Sequence, residues 1–199
     1  MENLLRRFQE LYSRVGDQAA AWDAEVQHGA KLIGAIASAI DNLQRLYDCK
    51  TVADTPLDSP EYGTPFLRKV QGRAAAGVGI LLKELQNSLS RLKQITFQID
   101  KASLDGTQVL STAAETRSVE TLLTARGSSP SLSQCANGLA DLAARFRAEH
   151  ALKTELVSCI TYEAAEDDLQ VLQVLWQEQP NLPPAYVIEA LHLVLAEVA

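Results

Sequence analysis

VGILLKELQNSLSRLKQITFQIDKASLDGTQVL, residues Val78–Leu110, is the stretch on which the reading of this 199-residue chain turns. Val78, Leu85, Leu92 and Ile99 recur every seven residues, and Leu81/Leu82, Ser88/Leu89, Ile95/Thr96, Ala102/Ser103 and Val109/Leu110 fill the intermediate positions. Lys83, Glu84, Asn87, Arg91, Lys93, Gln94 and Lys101 take the other faces. Such a seam, held over about four heptads without a proline, predicts a long helix lying along partner helices. At ~1.5 Å per residue the stretch spans roughly 50 Å. It carries no catalytic constellation, so the first expectation is a helical interaction protein.

A partner for that helix lies upstream. Leu4, Phe8, Leu11, Val15, Trp22, Val26, Ile33, Ile36, Ile40, Leu43 and Tyr47 mark one face of a helix over residues 2–47. Between Trp22 and Val26 an extra four-residue step interrupts the rhythm. A stutter locally unwinds a coiled coil; with Gly16 nearby, it predicts a hinge between Val15 and Trp22, or else two helices joined there. The pattern stops over residues 48–64, where Pro56, Pro60 and Gly63 stand among Thr, Asp and Ser. That composition predicts a long connection. Thr64 and Pro65 then read as an N-cap and a first helical residue. The helix they open is expected to reach about residue 123. Its early part, Ala74, Ala75, Ala76, Gly77 and Gly79, is small-faced, which predicts close approach of a partner helix.

Ala125–Ser131 is a second break, with Ser129 and Pro130 expected to open a third helix. Its apolar face is Leu132, Cys135, Leu139, Leu142, Phe146, His150, Leu156 and Ile160. The acidic run Glu163–Asp168 ends it and precedes a short helix, 169–179, bearing Val171, Leu172, Leu175 and Trp176. Pro180, Pro183 and Pro184 separate this from a last helix, 185–198. All seven prolines fall at these boundaries, and no run alternates with a period of two for long. The expected class is all-α: a long antiparallel helical hairpin over residues 1–124, its linker at 48–64, then a small bundle of about three helices over 129–199.

Composition removes several functions. A net charge of −7, with basic residues mostly scattered singly, argues against direct nucleic-acid binding. Three cysteines, Cys49, Cys135 and Cys159, give an odd count without CxxC spacing, which suggests reduced thiols in the cytosol or nucleus. No apolar run reaches the ~18 residues of a membrane span, so membrane binding is not expected. GRAAAGVG (72–79) lacks the Lys-Ser/Thr of a phosphate loop. His28, His150 and His192 stand apart, without the spacing of zinc ligands. His150 reads as a core or boundary residue and Cys159 as a buried one. Carboxylates at 163–168 suit the start of a helix better than acid–base catalysis. No catalytic residue, cofactor or metal is therefore expected. Thr55 and Ser59, each before a proline, are candidate regulatory sites. Trp176, one turn before a helix stop, is either core or an interface anchor.

Four segments carry a resemblance. LLKELQNSLSRLKQITFQIDKASLDG (Leu81–Gly106), EHALKTELVSCI (Glu149–Ile160), DDLQVLQVLWQEQP (Asp167–Pro180) and IEALHLVLAE (Ile188–Glu197) together resemble the cyclin-dependent kinase 2-interacting protein family. The matching positions include Glu84, Leu85, Gln86, Leu89, Leu92, Ile95, Lys101, Ser103, Gly106, Leu152 and Lys153. They continue through Asp168, Leu169, Leu172, Trp176, Gln179, Pro180, Leu191 and Glu197. Trp22 corresponds to a tryptophan near the start of the family's first helix. The segment with Asp168, Leu169, Trp176, Gln179 and Pro180 is the most specific part. The resemblance implies a non-enzymatic adaptor that forms a hetero-oligomer with a helical sister subunit, similar to a ribosome-maturation factor. It also implies docking on an AAA+ ATPase in ribosome maturation, DNA replication and genome maintenance, and association with a cyclin-dependent kinase.

The resulting expectation is a binding protein of the nucleus or cytoplasm, with partner-binding residues Trp176, Gln179, Pro180, Leu85, Leu89, Leu92, Ile95, Ile99 and Trp22. Its rival is a structural coiled-coil subunit of a tethering or cytoskeletal complex, which heptads alone fit equally well.

Overall fold

A computed structural model of the chain describes residues 2–48, 63–116, 118, 122–125 and 130–195. Five helices account for nearly all of them: α1 (Glu2–Asp48), α2 (Gly63–Thr116), α3 (Leu132–Ser158), α4 (Glu166–Glu178) and α5 (Pro184–Leu195). No described residue is in a strand, and the all-α expectation holds. Long α1 and α2 form the expected pair. The described part of the helical pattern stops at Thr116, short of residue 123. Cys49, Thr55, Ser59 and the linker reading of 49–62 lie outside the described residues.

The chain divides into two compact units that do not follow its order. One comprises Met1–Glu25, Ser90–Lys153 and Glu178–Ala199; the other comprises Val26–Leu89 and Thr154–Gln177. Helices beyond residue 129 are therefore shared between the units, each packing on segments of the long pair.

In the first unit, α1 and α2 run antiparallel, with Arg14 paired to Asp105 at 3.5 Å and Glu25 to Arg91 at 2.9 Å. Phe8, Tyr12, Val15 and Trp22 of α1, Leu92, Ile99 and Ala102 of α2 and Leu139, Leu142 and Phe146 of α3 are all buried. Gly106 allows three helices to meet. A Cβ there would lie 2.7 Å from Leu139 Cδ1 and 3.3 Å from Phe8 Cε1. The start of α3 is a reciprocal capping box: Gln134 N–H donates to Ser131 Oγ at 3.2 Å, and Ser131 N–H to Gln134 Oε1 at 2.8 Å. The cap is thus Ser131, not Ser129, because only Ser131 has a Gln three residues on. Tyr12 OH donates to Cys135 O at 3.0 Å, and burial pushes its phenol far above the usual range. Helix α5 is seated by Val187 and Val194. Its Tyr186 hydroxyl donates to Asp141, and Arg145 stacks 4.0 Å from the Tyr186 ring.

In the second unit the same two helices are again antiparallel: His28 lies 3.9 Å from Glu84, and Gln71 Nε2 donates to Leu46 O at 2.8 Å. Ile33, Ile36, Ile40 and Leu43 are buried with Val78, Leu85 and Ser88. Gln44 Nε2 donates to Tyr162 O and Ala164 O, each at 3.2 Å, and so fixes the connection between α3 and α4.

Several expectations change. Helix α1 passes through Gly16 and the stutter as one uninterrupted helix, which excludes two helices joined there. Ala19 and Ala30 are buried and bridge the rhythm across the missing large residues. The stutter coincides with the passage of α1 between units at Glu25 and Val26. In α2 the seven-residue row Val78, Leu85, Leu92, Ile99 is fully buried and Ala113 continues it, but the buried residues of the second row are Ser88, Thr96 and Ala102. Leu89 and Ile95 are only half-buried, because small side chains fit where helices press closest. At Gly77 a Cβ would meet nothing within 4 Å, so that glycine is not there for close packing, although α1 does reach this part of α2 through Leu46 and Gln71. Tyr47 is 60% exposed, and Cys159 is exposed where burial was expected.

Candidate functional site

The most specific sequence segment, DDLQVLQVLWQEQP, builds α4 and the turn after it. Glu166, Asp167 and Asp168 occupy the first turn of α4, where carboxylates favour the helix dipole. Leu169, Leu172 and Trp176 recur at helical spacing and are buried. They belong to the second unit. There the Trp176 indole N–H donates to Val26 O at 2.9 Å, and Gln173 Nε2 donates to Ala30 O at 3.1 Å. The ring lies so close to α1 that a Cβ on Gly29 would sit 2.7 Å from Trp176 Cε2 and 2.9 Å from Nε1. Glycine at 29 is what lets the indole reach a helix carbonyl. Trp176 is therefore core, 0% exposed.

In the first unit the chain leaves α4 through Gln179, whose φ of 48° is left-handed. Helices usually end this way on glycine, and a side chain there costs about 1 kcal/mol. The cost is offset by what the amide does. Gln179 Oε1 accepts the Trp22 indole N–H at 2.6 Å, and its Nε2 reaches Asp23 Oδ1 at 3.5 Å. Leu182 N–H donates to Gln179 O at 2.9 Å and closes the turn. Beneath it, Glu149 of α3 accepts the Asn181 N–H at 3.0 Å with one oxygen and pairs with Lys153 Nζ at 3.1 Å with the other. Both charged side chains are fully buried. Desolvation pushes the Lys153 ammonium below its usual range against the opposing pull of Glu149. Trp22 completes the cluster by meeting the Phe146 ring edge-on, centroids 5.1 Å apart. The turn after α4 is thereby clasped to α1 and α3 by neutral and ionic hydrogen bonds together.

Of the nine expected partner-binding residues, the structure thus brings Trp22 and Gln179 together. It buries Leu85, Leu92, Ile99 and Trp176, and leaves Leu89 and Ile95 half-buried and Pro180 exposed. Buried side chains support the surface but do not form it. Exposed apolar side chains lie elsewhere, among them Ile80, Phe97 and Leu104 on α2, Val171, Val174 and Leu175 on α4, and Ile188 and Leu193 on α5. Beside Phe97 an open groove of about 750 Å³ runs between α1 and α2, lined by Gln18, Ala21, Glu25, Gln94, Ile95 and Phe97.

Sequence reasoning missed Glu149 and Lys153 as a buried pair. An i,i+4 Glu–Lys spacing ordinarily marks a solvated helix face; its one hint is that the two continue the α3 apolar row after Phe146. His150, expected in that row, is half-buried beside it. Among the described residues no three His, Cys, Asp or Glu side chains converge as metal ligands would, and no described helix is long and apolar enough to cross a membrane.

The ribosome-maturation part of the resemblance has independent support. The family model described as ribosome biogenesis protein C1orf109-like matches residues 2–198. No curated protein matches the chain significantly. Covering both long helices and the clasped turn, the match makes this chain a member of the C1orf109-like family of ribosome biogenesis proteins.

Proposed function

We propose that this chain is a non-enzymatic helical adaptor of ribosome maturation, which pairs with a second helical subunit and docks with it on an AAA+ ATPase. Family membership supplies the process. The observation that carries the adaptor reading is the outward face of α2: Phe97 and Leu104 are 64% and 70% exposed and one heptad apart, and Phe97 lines the groove between α1 and α2. Surface helices of a monomer put polar residues there. Lys93 and Lys101 flank the two on that face, as in a seam where charged flanks select the partner helix. The clasp supports this reading by spending both tryptophans on holding the helices in place. A role in ribosome maturation fits a nuclear or cytoplasmic location. Replication and cyclin-dependent kinase links rest on no described residue and form no part of the proposal.

The test is affinity capture from native extract with the full chain and with Phe97→Glu/Leu104→Glu, read by mass spectrometry. Recovery of an AAA+ ATPase together with a helical subunit by the wild type, lost in the variant, supports the proposal. Recovery of neither by the wild type, or of both by the variant, overturns it. Both positions are exposed, so circular dichroism should show an unchanged fold.

A further inference from the structure

Helix α4 is apolar on two opposite sides. Each residue turns the helix by ~100°. Leu169, Leu172 and Trp176 therefore share one side, which is buried, while Asp167, Asp168, Val171, Val174 and Leu175 share the other. Val171, Val174 and Leu175 are 60%, 54% and 42% exposed. Their i, i+3, i+4 spacing makes one continuous stripe. Local stability does not account for it: α4 is only 13 residues long, and β-branched valines on an exposed helix face are poorer helix formers than Ala, Lys or Gln. Among the described residues nothing covers the stripe, and its chemistry is that of a contact surface.

The charge around the stripe selects what covers it. Between Thr154 and Gln177 the chain has Glu155, Glu163, Glu166, Asp167 and Asp168 and no Lys or Arg. Glu163, Glu166, Asp167 and Asp168 are all exposed. The one contact among them is Gln170 Nε2 to Glu166 Oε1 at 3.3 Å, so the described structure gives these carboxylates no cation. Two copies facing each other through α4 would bring like charges together across a small apolar contact. Nucleic acid and anionic lipid are repelled for the same reason.

We infer that the outward face of α4 is a docking site for a cationic amphipathic helix of a partner protein. Lys or Arg of that helix lies against Asp167 and Asp168, and its apolar residues cover Val171, Val174 and Leu175. The face, from Asp167 to Leu175, spans about two and a half helical turns, enough for a short helix laid along it. With three apolar anchors and exposed charges, the affinity falls in the micromolar range and weakens with salt. This site is separate from the α2 face invoked for subunit pairing, and it stands or falls without that reading.

The probe is a fluorescein-labelled synthetic helix of Leu and Lys with apolar residues at i, i+3, i+4 and i+7, titrated with the full chain and followed by anisotropy. A helix of identical pattern with Glu for Lys is the control. Binding of the Leu/Lys helix at least tenfold tighter than the control is expected. Val171→Ser/Val174→Ser should weaken it at least tenfold at an unchanged urea midpoint. Asp167→Asn/Asp168→Asn should weaken it several-fold and flatten its dependence between 50 and 300 mM salt, as expected for loss of exposed charge pairs. Equal binding of both helices, or binding unaffected by both variants, would overturn the inference. So would a wild-type dimer in sedimentation that Val171→Ser/Val174→Ser dissociates, since the occupant would then be a second copy.

Discussion

Replacing Gly29 with alanine should destabilise this chain by about 2–3 kcal/mol, opposite in sign to the ordinary effect of removing a helix glycine. Within α1 the substitution favours the helix by about 1 kcal/mol. Against that, the new methyl would lie 2.7 Å from Trp176 Cε2 and 2.9 Å from its Nε1, inside contact distance. The indole has little freedom to retreat. It is 0% exposed, and its N–H is bonded to Val26 O at 2.9 Å. Overpacking a core position costs about 1–3 kcal/mol, and pulling the buried indole N–H off its acceptor costs about another 1–3 kcal/mol. Taking the middle of each range, roughly 4 kcal/mol of cost less 1 kcal/mol of helix gain leaves a net loss near 3 kcal/mol. Urea unfolding of wild type and variant, with the slope checked for constancy, measures it. Gly72→Ala is the control: no heavy atom lies within 4 Å of its Cβ position, so it should gain about 0.5–1 kcal/mol. Trp176→Phe removes the atoms that collide and should make the two substitutions strongly non-additive, by at least about 1 kcal/mol. A Gly29→Ala chain as stable as wild type, or a strictly additive double variant, would refute the packing argument.

Other expectations follow from the same contacts. Lys153→Met leaves the Glu149 carboxylate buried and uncompensated, which should cost about 3–5 kcal/mol; adding Glu149→Gln, whose amide oxygen can still accept from Asn181, should recover much of it in urea titrations. Ser88→Ala should be neutral or stabilising by about 1 kcal/mol in thermal melts, because the buried Ser88 hydroxyl has no partner in the described structure. The Tyr186 hydroxyl, and beyond it Arg145, hold the Asp141 carboxyl below the usual carboxylate range. A carboxyl depressed in the folded state adds stability above its unfolded pKa of about 4 and loses it as pH falls through the folded value. Melting temperature should therefore fall less steeply below pH 4 in Asp141→Asn than in wild type, and an identical acid limb would count against that contact.

How far the sequence reaches is seen in particular residues. The row Val78, Leu85, Leu92, Ile99 was legible because a seven-residue repeat of large apolar residues has one cheap solution, a helix with that row inside. The pairing of α1 with α2 and the breaks near Pro130 and Pro180–Pro184 follow from pattern and backbone restriction alone, both local properties. Ser88 and Thr96 share their places in the seam with Leu89 and Ile95, and that the small residue of each pair is the buried one was not legible. Their place inside comes from how closely neighbouring helices approach, a distance that periodicity does not encode. Cys159 was misread for a similar reason: it lies in the non-helical residues just after α3, where helical spacing no longer tells inside from outside.

The segment ending in Trp176, Gln179 and Pro180 divides along the same line. Sequence alone determined that it forms a short helix stopped by proline, and that its tryptophan has a specific task. Only the tertiary structure decided what that task is. Trp176 fills the space that Gly29 leaves empty on α1, and Gln179 takes a left-handed turn to meet Trp22, from 157 residues away in the chain. Likewise, Glu149 and Lys153 have the spacing of a surface pair, and become a buried one because the turn after α4 closes over them. Periodicity reports which residues share a face; which face meets protein and which meets water depends on partners far away in sequence. That is why the expected anchors lie mostly inside this protein, and why the exposed apolar faces on α2 and α4 emerged only once the core was filled.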